Sequence, residues 1–103
     1  MDISNIQNLL KNNEIKWSVH CLERMQERNI SILDVHSCIT TGEIIEDYPD
    51  DYPYPSCLVF GYAVSQKILH VVVGSDGHML YIITVYYPSR KRFMDDLKTR
   101  REI

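Results

Sequence analysis

Apolar residues along the first 42 positions recur at helical spacing. In "DISNIQNLLKNN", Ile3, Ile6, Leu9 and Leu10 fall on one face, and Asp2 or Ser4 is available as the N-cap. A second helix is predicted over about 19–28, capped by Ser18 and ended by Asn29, with Val19, Leu22 and Met25 as its apolar side. "SILDVHSCITTG" reads as a third. Ser31 is its N-cap, Asp34 holds the capping-box position, Gly42 supplies the stop, and Ile32, Val35, Cys38 and Ile39 form the buried stripe.

The period then changes from that of a helix to that of a strand. "EIIEDY" is a short strand, and the proline- and acid-rich "DYPDDYPYPS" is a loop. "CLVFGYAVS", "KILHVVVG" and "MLYIITVYY" carry the β-branched and aromatic residues of strands. A tight turn at Gln66 joins the first two, and Asp76-Gly77 suits a type I′ hairpin between the last two. Pro88 stops the last strand, and "SRKRFMDDLKTRREI" is expected to close the chain as a helix capped by Ser89. The prediction is a single α+β domain over residues 1–103, with N-terminal helices packed on a four-stranded antiparallel sheet and a C-terminal helix. One sheet face packs on helices and the other is free for a ligand.

Composition adds constraints. With 45% hydrophobic and 24% charged residues the chain is an ordinary globular sequence. No apolar run approaches the roughly 20 residues that span a bilayer, and "MDISNIQNLLKNNEIK" lacks the basic start and apolar stretch of a signal peptide. The expected compartment is the cytoplasm. Cys21, Cys38 and Cys57 form no C-x-x-C pair, which argues against a disulfide framework or a zinc site. The net charge of −3 is unevenly spread: residues 1–56 hold 10 acids and 4 bases, residues 57–103 hold 4 acids and 7 bases. Most of that late positive charge lies in "SRKRFMDDLKTRR", a local cluster able to meet phosphate, although the acidic total argues against tight non-specific nucleic-acid binding.

Candidate chemistry begins with "WSVHCLERMQERNIS", where His20, Arg24 and Arg28 stand four apart in one helical row. The row is either a solvated face paired with Glu23 and Glu27 or an anion site, in which arginine forks hold phosphate and histidine moves a proton. His70 interrupts an apolar strand, as a satisfied half-buried residue or as a catalyst. A two-residue Asp76-Gly77 turn pairs His70 with Ile83 and a three-residue turn pairs it with Thr84, so its relation to Thr84 and Tyr86 stays open. The seven tyrosines supply packing, and a sheet tyrosine near arginines can stack on a base or position a phosphate. Glycine-rich phosphate loops, nucleophile elbows and metal-ligand spacings are missing from the sequence, so neither a cofactor nor a metal is expected.

The segments "HCLERMQERNISILDVHSCITTGEIIEDYP", "PSCLVFGYA", "LHVVVG" and "IITVYYPSRKRFMDDLKTRR" resemble domain-of-unknown-function family 4258, over about Trp17 to Arg101. Its members look like relatives of the barnase–EndoU–colicin–RelE superfamily and like the toxin halves of toxin–antitoxin pairs, sometimes beside a zinc-finger antitoxin. The resemblance implies a RelE- or barnase-like fold, a metal-independent endoribonuclease, RNA as partner with or without the ribosome, and a cognate antitoxin protein. In that frame His20, Arg24, His70 and Tyr86 are the catalytic candidates, with one histidine moving protons. Arg28 and Thr84 would hold and position the phosphate, and Arg90, Lys91 and Arg92 would guide RNA by charge. Two other classes compete with the enzyme. One is a binding module without catalysis, docking a basic partner on "EDYPDDYPYP"; the other is an interaction protein that forms homo-oligomers through exposed sheet edges.

Overall fold

The computed structural model describes residues 1–102. Its elements are α1 (Ile3–Lys11), β1 (Ile15–Trp17), α2 (Val19–Glu27), α3 (Ile32–Thr40), β2 (Glu43–Tyr48), β3 (Ser56–Tyr62), β4 (Ile68–Ser75) and β5 (Leu80–Tyr86). All three helices start on the expected caps. The Asp2 carboxylate accepts from the Ser4 amide at 2.9 Å and the Ser18 hydroxyl from the Cys21 amide at 3.0 Å. Ser31 and Asp34 form a reciprocal capping box. Asn29 ends α2 in the left-handed region, with φ of 58°.

The buried faces are narrower than the periodicity predicts. In α2 the inward residues are Cys21 and Met25, while Val19 is 72% and Leu22 37% exposed. In α3 Val35, Cys38 and Ile39 are buried, but Ile32 faces out. Gly42 is not a left-handed stop. It is small because a Cβ there would lie 2.5 Å from the Cys38 carbonyl oxygen, and one on Gly61 would lie 2.0 Å from the same atom. The C-terminal turn of α3 thus rests directly on backbone at the start of β2 and the end of β3.

The sheet has five strands in the order β1-β5-β4-β3-β2, not four. β2 to β5 form the expected antiparallel meander, and β1 adds a parallel edge beside β5, with Lys16 opposite Tyr81 and Trp17 opposite Ile82. A three-residue strand is too short to announce itself by alternation. The β4–β5 connection is also longer than a type I′ hairpin. Ser75 pairs with Leu80, and Asp76 accepts the His78 and Met79 amides at 2.9 Å each, an Asx-type turn. Ile83 is then an extra, bulged residue, because Val73 pairs with Ile82 while Val72 pairs with Thr84. Together these shifts set His70 opposite Tyr86 rather than Ile83 or Thr84.

The expected C-terminal helix is absent, and Ile103 of that segment lies outside the described residues. One turn forms as the Ser89 carbonyl accepts the Phe93 amide at 3.0 Å. The chain then doubles back, Phe93 bridging to Arg100 and the Arg101 amide reaching the Arg92 carbonyl at 2.9 Å. The Asp96 carboxylate accepts the Lys98 and Thr99 amides, offering the backbone a turn in place of a helix, and Leu97 takes a positive φ of 57°.

Residues 89–102 form a strap across the sheet face that was expected to be free. Helices α1 to α3 bury Cys57, Val59, Leu69, Val71, Val73, Leu80, Ile82 and Val85 on one side. On the other side, Leu58, Phe60 and His70 are buried with Phe93 of the strap.

Candidate active site

Phe60, His70 and Tyr86 are register partners on three adjacent strands, so their side chains form one row on the strap side. His70 is fully buried. Its ring and that of Phe93 form an edge-to-face pair, with centroids 4.6 Å apart and planes at 88°. Nε2 lies 2.7 Å from the Leu97 carbonyl oxygen, which can only accept, so Nε2 carries the proton. Nδ1 is then the acceptor, and the Tyr86 hydroxyl 3.2 Å away donates to it. Burial pushes the His70 pKa down, with the Leu97 hydrogen bond and the Glu46 charge pulling it partly back. The imidazole is therefore neutral near pH 7, with its unprotonated nitrogen turned toward Tyr86. Burial raises the Tyr86 pKa while the Arg100 charge opposes it, and Arg92 also bears on the hydroxyl.

Beside this pair the strap is fastened by charge. Arg100 donates to both Glu46 carboxylate oxygens, at 3.1 and 3.0 Å, and Tyr48 donates its hydroxyl to the same carboxylate. Burial works against the Glu46 charge, but Arg100 and Tyr48 together hold its pKa below the ordinary value. Burial and the Glu46 carboxylate push Tyr48 up to about 12. Lys98 pairs with Glu43 at 2.6 Å and lies over the Phe60 ring at 4.7 Å, while Arg100 lies over Phe93 at 4.8 Å.

The candidate residues do not all meet. His70, Tyr86 and Thr84 share the strap-side face, Thr84 pairing with Val72. Arg90, Lys91 and Arg92 are exposed where the strap leaves β5. His20 and Arg24 lie on the surface of α2, and Arg24 pairs with Glu27 at 3.2 Å, as on a solvated face. Arg28 turns the other way and donates to the Val85 carbonyl at 2.6 Å, clamping the end of α2 to β5. No hydrogen bond or ion pair among the described residues links this row to His70 or Tyr86. The sequence reading passed over Glu46, Arg100, Lys98, Phe93 and the Leu97 carbonyl. A usable signal existed: Glu43 and Glu46 are charged residues in a strand, and Phe93 is a lone aromatic in a basic run.

Among the described residues no three His, Cys, Asp or Glu side chains gather as a metal-binding group, and no helix is long and apolar enough to cross a membrane. No curated protein and no solved structure matches the chain. Residues 17–87 match the family described as Domain of unknown function (DUF4258), a stretch that runs from β1 to the end of β5 and includes the His70–Tyr86 pair. The chain belongs to the DUF4258 family.

Proposed function

We propose that this protein is a metal-independent endoribonuclease of RelE-like type, the toxin half of a toxin–antitoxin pair working in the cytoplasm. The observation that carries this reading is the half-buried Tyr86 hydroxyl, hydrogen-bonded to the unprotonated Nδ1 of a neutral, buried His70. RNA cleavage without a metal needs an acceptor for the 2′-hydroxyl proton, positive charge against the phosphorane, and a proton for the departing 5′-oxygen. Tyr86 can take the 2′ proton while passing its own to Nδ1. The O2′–P bond then forms, the P–O5′ bond breaks, and the leaving oxygen takes a proton from water, whose hydroxide recovers the proton held on Nδ1 by way of the Tyr86 hydroxyl and so restores neutral His70. Arg92 and Arg100 supply the positive charge, with Glu46 fixing Arg100. Arg90 and Lys91 steer the RNA backbone, and Thr84 flanks the centre on β5. Arg28 acts by position, and His20 and Arg24 stand outside the centre.

A non-catalytic binding module is the second reading, favoured by the engagement of both His70 nitrogens beneath the strap. The two separate on incubation of purified protein with total cellular RNA in EDTA, with and without ribosomes, beside a folded Arg100→Ala variant. The enzyme reading expects wild-type cleavage that the variant loses by about a hundredfold or more, the scale of one lost electrostatic stabiliser. RNA shifted on a gel but left intact supports the module instead. Co-purification of a co-expressed neighbouring protein that suppresses cleavage would identify the antitoxin.

A further inference from the structure

Upstream of Tyr86 on the same strand, a second group of side chains faces away from the helices. Tyr81 lies opposite Gly74, and the bulge at Ile83 turns an additional apolar side chain outward, 48% exposed. The Tyr81 ring is held in place by its neighbours. Tyr54 stacks on it at 5.0 Å with planes 6° apart, and its hydroxyl lies 3.5 Å from Asp76. Beyond Tyr81 toward the β1 edge lies a cleft of about 410 Å³ lined by Lys16, Trp17, Ser18, Tyr81, Ile82 and Ile83. Lys16 is exposed and forms no ion pair among the described residues.

We propose that this cleft binds one nucleotide of single-stranded RNA, the base against Tyr81 and Ile83 and its phosphate at Lys16. The inference rests on the RNA-cleaving reading and adds a subsite to it. A fixed ring face beside an unpaired cation is what a nucleotide needs, because stacking accepts any base and the ammonium answers the phosphate. Size agrees, since the cleft takes one nucleotide and not a folded partner. Position agrees too. The partners of Tyr81 and Tyr86, Gly74 and His70, stand four residues apart on β4, about 13 Å at the usual rise. Between them β5 presents Ile83 and Thr84, opposite Val72 and Gly74 of β4, on the way to the exposed basic residues 90–92. RNA laid along this path would reach Tyr86 with its register set by the base in the cleft.

The lone tryptophan, Trp17, borders the cleft while packing partly against the core beside Ile82, close enough for its emission to respond to an occupant. A fluorescein-labelled seven-residue oligouridylate is titrated into protein carrying Tyr86→Phe, following Trp17 emission and probe anisotropy together. We expect a saturable change in Trp17 emission, and Tyr81→Ala or Lys16→Glu, with unchanged melting temperature, to weaken binding about tenfold or more. Unchanged affinity in both variants, or binding without any change at Trp17, overturns the cleft assignment and leaves RNA cleavage at Tyr86 standing. If wild type cleaves no RNA and the oligonucleotide does not bind, the RNA reading falls and the subsite with it.

Discussion

An imidazole with no exposed surface must satisfy two nitrogens, and His70 does so with two unlike partners. The Leu97 carbonyl fixes the proton on Nε2, and that choice makes Nδ1 the acceptor for Tyr86. Tyr86→Phe removes the one donor to Nδ1 among the described residues, so chemical denaturation should show a loss of about 1–3 kcal/mol, the usual cost of a buried group left unpaired. The same variant should cleave RNA about a hundredfold or more slowly in a single-turnover assay, the range of a lost proton-transfer group. The depressed pKa also fixes a pH dependence. Because the folded-state pKa lies below the unfolded value near 6.5, the stability from neutral His70 is complete above about pH 6.5 and is lost as pH falls through the folded value. Denaturation midpoints measured from pH 7.5 to 5 should therefore fall toward acid, and the fall should shrink in His70→Gln. Catalysis should follow, with the acid limb of the cleavage profile lying below pH 6.5.

At the scale of elements, close packing and a single aromatic decide what the termini of helices and strands can do. Gly61 lets α3 rest on β3, so Gly61→Ala should cost about 3 kcal/mol in thermal or urea unfolding, because the opposing atom is a backbone carbonyl that cannot swing aside. The strap depends on Phe93, only 1% exposed, and Phe93→Ala should cost about 3 kcal/mol and leave the His70 ring open to solvent. The helices and the meander were legible because caps and periodicity are local, as Ser18, Ser31 and Asn29 illustrate. β1 and the strap were not. Three residues carry no alternation, and Asp96 captures its own backbone amides in a segment whose helix-like composition points elsewhere. The His70–Tyr86 pairing was half legible: both residues stood out, but register depended on one bulge and a four-residue turn that alternation does not encode.

Across the whole molecule, part of the uneven charge along the chain is paired between its two halves. Two acids of β2, Glu43 and Glu46, meet Lys98 and Arg100 of the strap, so the acidic first half and basic second half clamp each other. These pairs sit near the surface and are screened as the Debye length falls from about 10 Å at 0.1 M salt to about 3 Å at 1 M. Hydrogen exchange of amides 94–101 should accordingly quicken with salt while the β3–β4 amides hold. The clamp leaves Arg90, Lys91 and Arg92 exposed beside Tyr86, which gives a net-acidic protein one basic approach to its candidate centre. The central claim is that this centre cleaves RNA by proton transfer through Tyr86 and His70. Its most direct test is end-group analysis of a defined RNA incubated in EDTA with wild type and with folded Tyr86→Phe. The account predicts 2′,3′-cyclic phosphate ends from wild type and their near-complete loss in the variant. Intact RNA from both proteins, or equal cleavage by both, would contradict it.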